Sequence, residues 1–135
     1  MTDHERRSFR ILIVEDEPDI RDLLAQSLSE EAEVETAVDG QDALERLAHG
    51  PPPSVILLDL RMPRLSGPEL LRRLDADGEH PPVVTMSACT SAGPAGASAH
   101  LCKPFTLATL LAALRRACAE ATAAQLDRRL AALAS

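Results

Sequence analysis

The chain's patterning predicts an α/β fold, doubly wound around one parallel five-stranded sheet. Two short apolar runs, Phe9–Val14 and Val55–Leu58, lead straight into carboxylates, Glu15-Asp16-Glu17 and Asp59. Runs this short and unbroken suit strands buried on both faces. Between them lie stretches with apolar residues at helical spacing, and strand-then-helix repetition gives βα units with right-handed crossovers.

The elements follow in order. Residues 1–8 are polar and read as a disordered tail. After the first strand, Pro18 suits a first helical turn, and Ile20, Leu23, Leu24 and Leu28 mark one helical face. Glu33–Ala37 alternates polar and apolar residues, as an edge strand does. Asp39 and Asp42 start a helix with Ala43, Leu44 and Leu47 inside, and His49-Gly50-Pro51 ends it. Ser66-Gly-Pro-Glu69 is a capping box ahead of Leu70, Leu71 and Leu74. Pro81-Pro82 opens a strand over Val83–Met86 that ends in Ser87-Ala88. Residues 89–98 are rich in Ser, Gly and Ala and read as loop. Ala99–Cys102 is a short last strand before Lys103-Pro104, and Thr106 caps a helix carrying Leu107, Leu110, Leu111 and Leu114.

A chain of 135 residues forms one domain with a real core. Its net charge of −7 argues against general nucleic-acid binding and suits collection of a divalent cation. Only Phe9 and Phe105 are aromatic, so stacking platforms are absent. The amino terminus has no apolar signal segment, and no apolar run approaches membrane-spanning length. Cys89, Cys102 and Cys118 are odd in number and lack CxxC spacing, so free thiols in a reducing cytoplasm are expected. His4, His49 and His80 lie in polar or proline-flanked segments and are expected to face solvent.

In a parallel sheet the strand ends carrying Glu15-Asp16, Asp59, Ser87 and Lys103 share one edge, where open α/β sheets place ligands. Clustered carboxylates repel unless a cation neutralises them, and oxygen-only ligands favour Mg²⁺. A carboxylate can attack phosphorus to form an aspartyl-phosphate, with lysine, hydroxyl and metal spreading the phosphoryl charge.

These residues, in this order, resemble the receiver domain of bacterial two-component response regulators. The matching pieces are Ile13-Val-Glu-Asp-Glu17, Leu58-Asp-Leu-Arg-Met-Pro63 with Ser66-Gly67, Ser87-Ala88, Gly96-Ala-Ser98 and Cys102-Lys-Pro-Phe105. The resemblance implies a flavodoxin-like, CheY-like (βα)5 fold, with the receiver over 9–120. It implies that Asp59 is the phosphoacceptor. Asp16 would be a direct Mg²⁺ ligand, Glu15 would act through a bound water, and the backbone carbonyl of Arg61 would complete the protein's share. Ser87 corresponds to the switch hydroxyl, Lys103 to the phosphoryl-pairing lysine, and His100 to the position usually held by a switch Tyr or Phe.

The chain departs from that pattern twice. The stretch from Ser87 to Gly96 is short and interrupted by Gly and Pro, so the fourth helix is expected to be rudimentary or missing, with 89–97 irregular and mobile. The carboxyl end continues as good helix former, and Leu126, Leu130 and Leu133 lie on a stripe offset from Leu107, Leu111 and Leu114. Residues 121–135 therefore read as a helical extension or a tail, and an extension would suit a homodimer through the last helix.

The resulting expectation is a stand-alone cytoplasmic receiver that takes a phosphoryl group from a histidine kinase or histidine phosphotransfer protein. It would signal by protein contacts, relay or phosphate sink, with no DNA or membrane binding. A phosphorylation-independent interaction module on the same fold is the main alternative. An aspartyl phosphohydrolase is a weaker one, because Arg61 stands where such enzymes want a second acid.

Overall fold

The structure, a computed structural model, describes residues 2, 8–62, 65–88 and 93–134. The elements are β1 (Arg10–Val14), α1 (Pro18–Leu28), β2 (Glu33–Ala37), α2 (Gly40–Ala48), β3 (Val55–Asp59), α3 (Gly67–Ala76), β4 (Val83–Ser87), β5 (Ala99–Cys102) and α4 (Leu107–Ala134). The five strands are all parallel, in the order β2-β1-β3-β4-β5. The chain leaves β1 for β2 on one side and returns to β3 on the other, so the topological switch lies between β1 and β3.

Alternation along the strands builds two cores. Ile11, Ile13, Val55, Leu57, Val84 and Met86 pack with Leu24 and Leu28 of α1 and Leu110 and Leu114 of α4. Leu12, Val14, Ile56, Leu58 and Val83 pack with Ala43 of α2 and Leu70, Leu71 and Leu74 of α3. The expected caps are present: Asp39 accepts from Asp42 N, and Ser66 from Glu69 N.

No helix occurs between β4 and β5 among the described residues, as the composition implied; residues 89–92 of that stretch lie outside them. The sheet face over β4 and β5 is met instead by the 93–98 segment, anchored by Ser98 N donating to Val83 O at 2.8 Å. Gly93 is the close approach: a Cβ built there would stand 2.5 Å from His100 Cβ.

The last helix is a single run of 28 residues, about 42 Å long, against strands of about 17 Å. Its buried residues, Leu110, Leu114 and Ala117, all lie in its first half. Beyond Ala121 every described residue is exposed, and among the described residues the ion pair Arg128 to Glu79 at 3.2 Å ties this part to the domain.

Two expectations are corrected. Cys102 is disulfide-bonded, while Cys118 is a free thiol and Cys89 lies outside the described residues. Cys102 itself stands opposite Ser87 in the β4–β5 pairing. His80 is not simply solvated. Its Nδ1 lies 2.7 Å from Pro81 O and its Nε2 2.7 Å from Asp75 Oδ1. His49 is exposed, and His4 lies outside the described residues.

Candidate functional site

Register brings the acids together. Val14 pairs with Leu58, so Glu15 and Asp59 take the next equivalent positions on β1 and β3, at the switch point. Asp59 ends β3 and is buried, as is Glu15, while Asp16 is more exposed than either. Carboxylate oxygens of all three lie within 4.8 Å of one another. Lys103, one residue beyond β5, reaches the same point: Nζ is 3.5 Å from Glu15 Oε1 and 3.9 Å from Asp59 Oδ2. The Lys103–Pro104 peptide is cis, and Lys103 N donates to Ser87 O at 2.8 Å.

Backbone contacts hold the carboxylates. Arg61 N donates to Asp59 Oδ1 at 3.1 Å, and Glu17 N to Glu15 Oε2 at 3.3 Å. Arg21, which sequence reasoning overlooked, donates through Nη1 to Glu15 O at 3.0 Å and Asp16 O at 3.4 Å. It braces the backbone of the acid pair from the first turns of α1. Its only sequence signal is its place on that helix, shortly after the acids.

Among the described residues the cluster is electrostatically unbalanced, with three acids against one lysine. Glu15 Oε1 is buried and accepts a hydrogen bond from no described residue. The Glu15 carboxyl is pushed up from the ordinary carboxylate range to about 8, first by burial, then by hydrogen bonding and charge repulsion with Asp59. The Glu17 N–H and Lys103 pull the other way without prevailing. A buried carboxylate oxygen with no hydrogen bond and only the Lys103 ion pair at 3.5 Å, among three converging carboxylates, fits a hard divalent cation that prefers oxygen ligands. Glu15, expected to act through a water, is thus fully buried at the heart of the cluster.

Ser87 ends β4, and His100 lies on β5 directly opposite Thr85. The imidazole is half-buried and spans two hydroxyls: Nδ1 is 2.6 Å from Thr85 Oγ1, and Nε2 is 3.2 Å from Ser87 Oγ. Thr85, also overlooked, was legible in principle. It stands two residues before Ser87, hence on the same strand face.

The chain matches the family model described as response regulator receiver domain over residues 11–115. Response regulator MprA of Mycobacterium sp. (strain KMS) is 41% identical over 113 residues, spanning 78% of this chain and 49% of that protein. MprA of Mycobacterium tuberculosis (strain ATCC 25177 / H37Ra) is 40% identical over 115 residues, 80% of this chain and 50% of that one. The chain thus spans about half the length of the curated relatives it matches. Among solved structures, Vibrio cholerae chemotaxis protein CheY4 is 32% identical with a TM-score of 0.71, covering 81% of this chain and 98% of that one. Response regulator protein TrrA from Thermotoga maritima, solved in complex with Mg(2+)-BeF, is 29% identical with a TM-score of 0.73, covering 80% and 97%.

Proposed function

The chain belongs to the response regulator receiver domain family, and from that membership we propose that Asp59 accepts the phosphoryl group through which it signals. It is a receiver of two-component signal transduction, a signalling domain rather than a classical enzyme. The observation that carries the Asp59 reading is the convergence of Glu15 and Lys103 on that one buried carboxylate.

In the proposed transfer, an Asp59 carboxylate oxygen attacks the phosphorus of a phosphohistidine. The P–N bond breaks, its electron pair stays on the imidazole nitrogen, and an acyl phosphate remains on Asp59. Attack of water at phosphorus later returns the carboxylate and inorganic phosphate. Lys103 pairs with the phosphoryl oxygens, and Ser87 turns its hydroxyl toward them. The Arg61 N–H keeps Asp59 oriented. Asp16, Glu15, Asp59 and the Arg61 carbonyl would hold Mg²⁺, which supplies charge neutralisation for the transferring group. His100, bonded to Ser87, is the switch position.

The phosphoryl donor is a histidine kinase or histidine phosphotransfer protein, and that donor places the chain in the cytoplasm. Output runs through protein contacts, relay or phosphate sink, with a second copy joined through the last helix among the partners. A net charge of −7 favours protein partners over DNA. Among the described residues no helix is long and apolar enough to cross a membrane.

The test is labelling with acetyl phosphate, with and without Mg²⁺. Wild type should label only with Mg²⁺, and Asp59→Asn should stay at background. Labelling that persists in Asp59→Asn overturns the assignment. Failure of wild type to label favours a phosphorylation-independent module.

A further inference from the structure

We propose that the exposed half of α4 pairs with the same segment of a second copy as a parallel two-stranded coiled coil. The starting observation is a change of side along one helix. Leu110, Leu114 and Ala117 are buried against the sheet, with Ala121 partly covered beyond them. Ala119, Ala123, Leu126, Leu130 and Leu133 recur at intervals of four, three, four and three residues, and all are exposed. That is the a/d spacing of a coiled coil sustained for two heptads. At 3.6 residues per turn, this seam lies about 170° around the helix from the docked stripe. It therefore faces away from its own domain, and Leu126, Leu130 and Leu133 are 54%, 55% and 83% exposed.

Charge selects the occupant and its direction. With Leu126 at d and Leu130 at a, Glu120 and Asp127 fall at e, and Arg115, Thr122 and Arg129 fall at g. A parallel pair sets g against the e residue five positions on in the other copy. Arg115, which also pairs with Glu31 at 3.0 Å, then faces Glu120, and Thr122 faces Asp127. An antiparallel pair sets e against e and g against g. Centred on the leucines, it brings Asp127 onto Asp127 and Arg129 onto Arg129, a like-charge penalty that disfavours it. Arg116 at the preceding a position is turned to Glu120 at 3.0 Å and marks where the apolar seam begins. Because the seam is opposite the docked face, the two domains sit on the outer sides of the coil without collision.

Two heptads fall short of the roughly 1,200 Å² of a standard interface, so the pair is weak, with Kd on the order of 100 μM. The proposal deepens the second-copy reading of the last helix and is independent of the chemistry at Asp59.

Sedimentation from about 10 μM to 1 mM, the range that brackets that Kd, tests it on the full chain. The average mass should climb from 14.5 kDa toward twice that value. The double variant Leu126→Gln/Leu130→Gln, built from good helix formers, should stay at the monomer mass while Asp59 labelling is unchanged. Direction is read by cysteines introduced one at a time into a Cys118→Ser background. With parallel pairing, Leu133→Cys and Ala123→Cys each cross-link to themselves. A wild-type mass that stays flat, a double variant that still associates, or cross-links only in a mixture of the two cysteine variants would overturn the proposal. Loss of Asp59 labelling in wild type would instead strike the phosphoryl reading and leave this one standing.

Discussion

His100 and Ser87 are hydrogen-bonded to each other across β4 and β5, Nε2 to Oγ at 3.2 Å. Thr85 Oγ1 lies 2.6 Å from His100 Nδ1; in the tautomer with the proton on Nδ1, Thr85 accepts from it and Nε2 accepts from Ser87. In that tautomer the Ser87 proton is engaged by His100 and must leave it to reach a phosphoryl group at Asp59. Replacing His100 by Phe removes a competing bond worth about 1 kcal/mol, so labelling by acetyl phosphate should speed up about fivefold. His100→Gln, which can still bond, should stay near wild type. Equal rates in Phe and wild type would show that the bond does not restrain Ser87.

Metal-free stability should fall as pH rises. Burial holds Glu15 near 8, so the folded protein keeps a proton that the unfolded chain releases near 4.5. The stability carried by that proton is full below the unfolded value and is lost as pH rises through the folded one. Thermal melting in chelator should therefore give a lower Tm at pH 9 than at pH 6. Saturating Mg²⁺ should shrink that difference, because the cation takes the charged form. A flat profile in chelator would contradict the buried, protonated Glu15.

Asp59→Asn removes one of the two influences of Asp59 on Glu15, the repulsion between carboxylates. The metal-free variant should be more stable than wild type near neutral pH by roughly 1 kcal/mol, read from urea midpoints. With Mg²⁺ present, wild type should regain the lead.

Gly67 lets the start of α3 lie on the end of β3. A Cβ there would stand 2.7 Å from Leu60 Cα and 3.0 Å from Asp59 O, both backbone atoms that cannot step aside cheaply. Gly67→Ala should cost about 1–3 kcal/mol despite the better helix propensity of alanine. It should also slow phosphorylation, because Asp59 moves with the strand end. Unchanged stability and labelling would mean the contact relaxes freely.

Two leucines on one helix should behave oppositely. Leu114 is fully buried, so Leu114→Ala should cost about 2–5 kcal/mol. Leu130 is 55% exposed, so Leu130→Ala should stay within about 0.5 kcal/mol at concentrations where the chain is monomeric.

β1, β3 and β4 were legible as short, mostly apolar runs closed by a polar residue; β2, read from its alternation, and β5 match the ranges read from the sequence. Convergence of Glu15, Asp59 and Lys103 was legible too, since parallel strands send their ends to one edge. What the pattern did not carry is pairing between strands. The Thr85–His100 contact depends on β4 and β5 being neighbours in one particular register. Nor does composition reveal how deep a carboxylate sits: Glu15 reads like any acid after a strand, yet Arg21 and Glu17 hold it fully buried.

The length of α4 makes it a lever arm. It begins four residues after Lys103 and carries about 26 Å of helix past its last buried residue, Ala117. Turning that rod by about 5° at its docked end sweeps its tip through roughly 2 Å at the rise per residue of an α-helix. In the proposed pair, a displacement of that size at Leu133 would be enough to shift one apolar seam against the other.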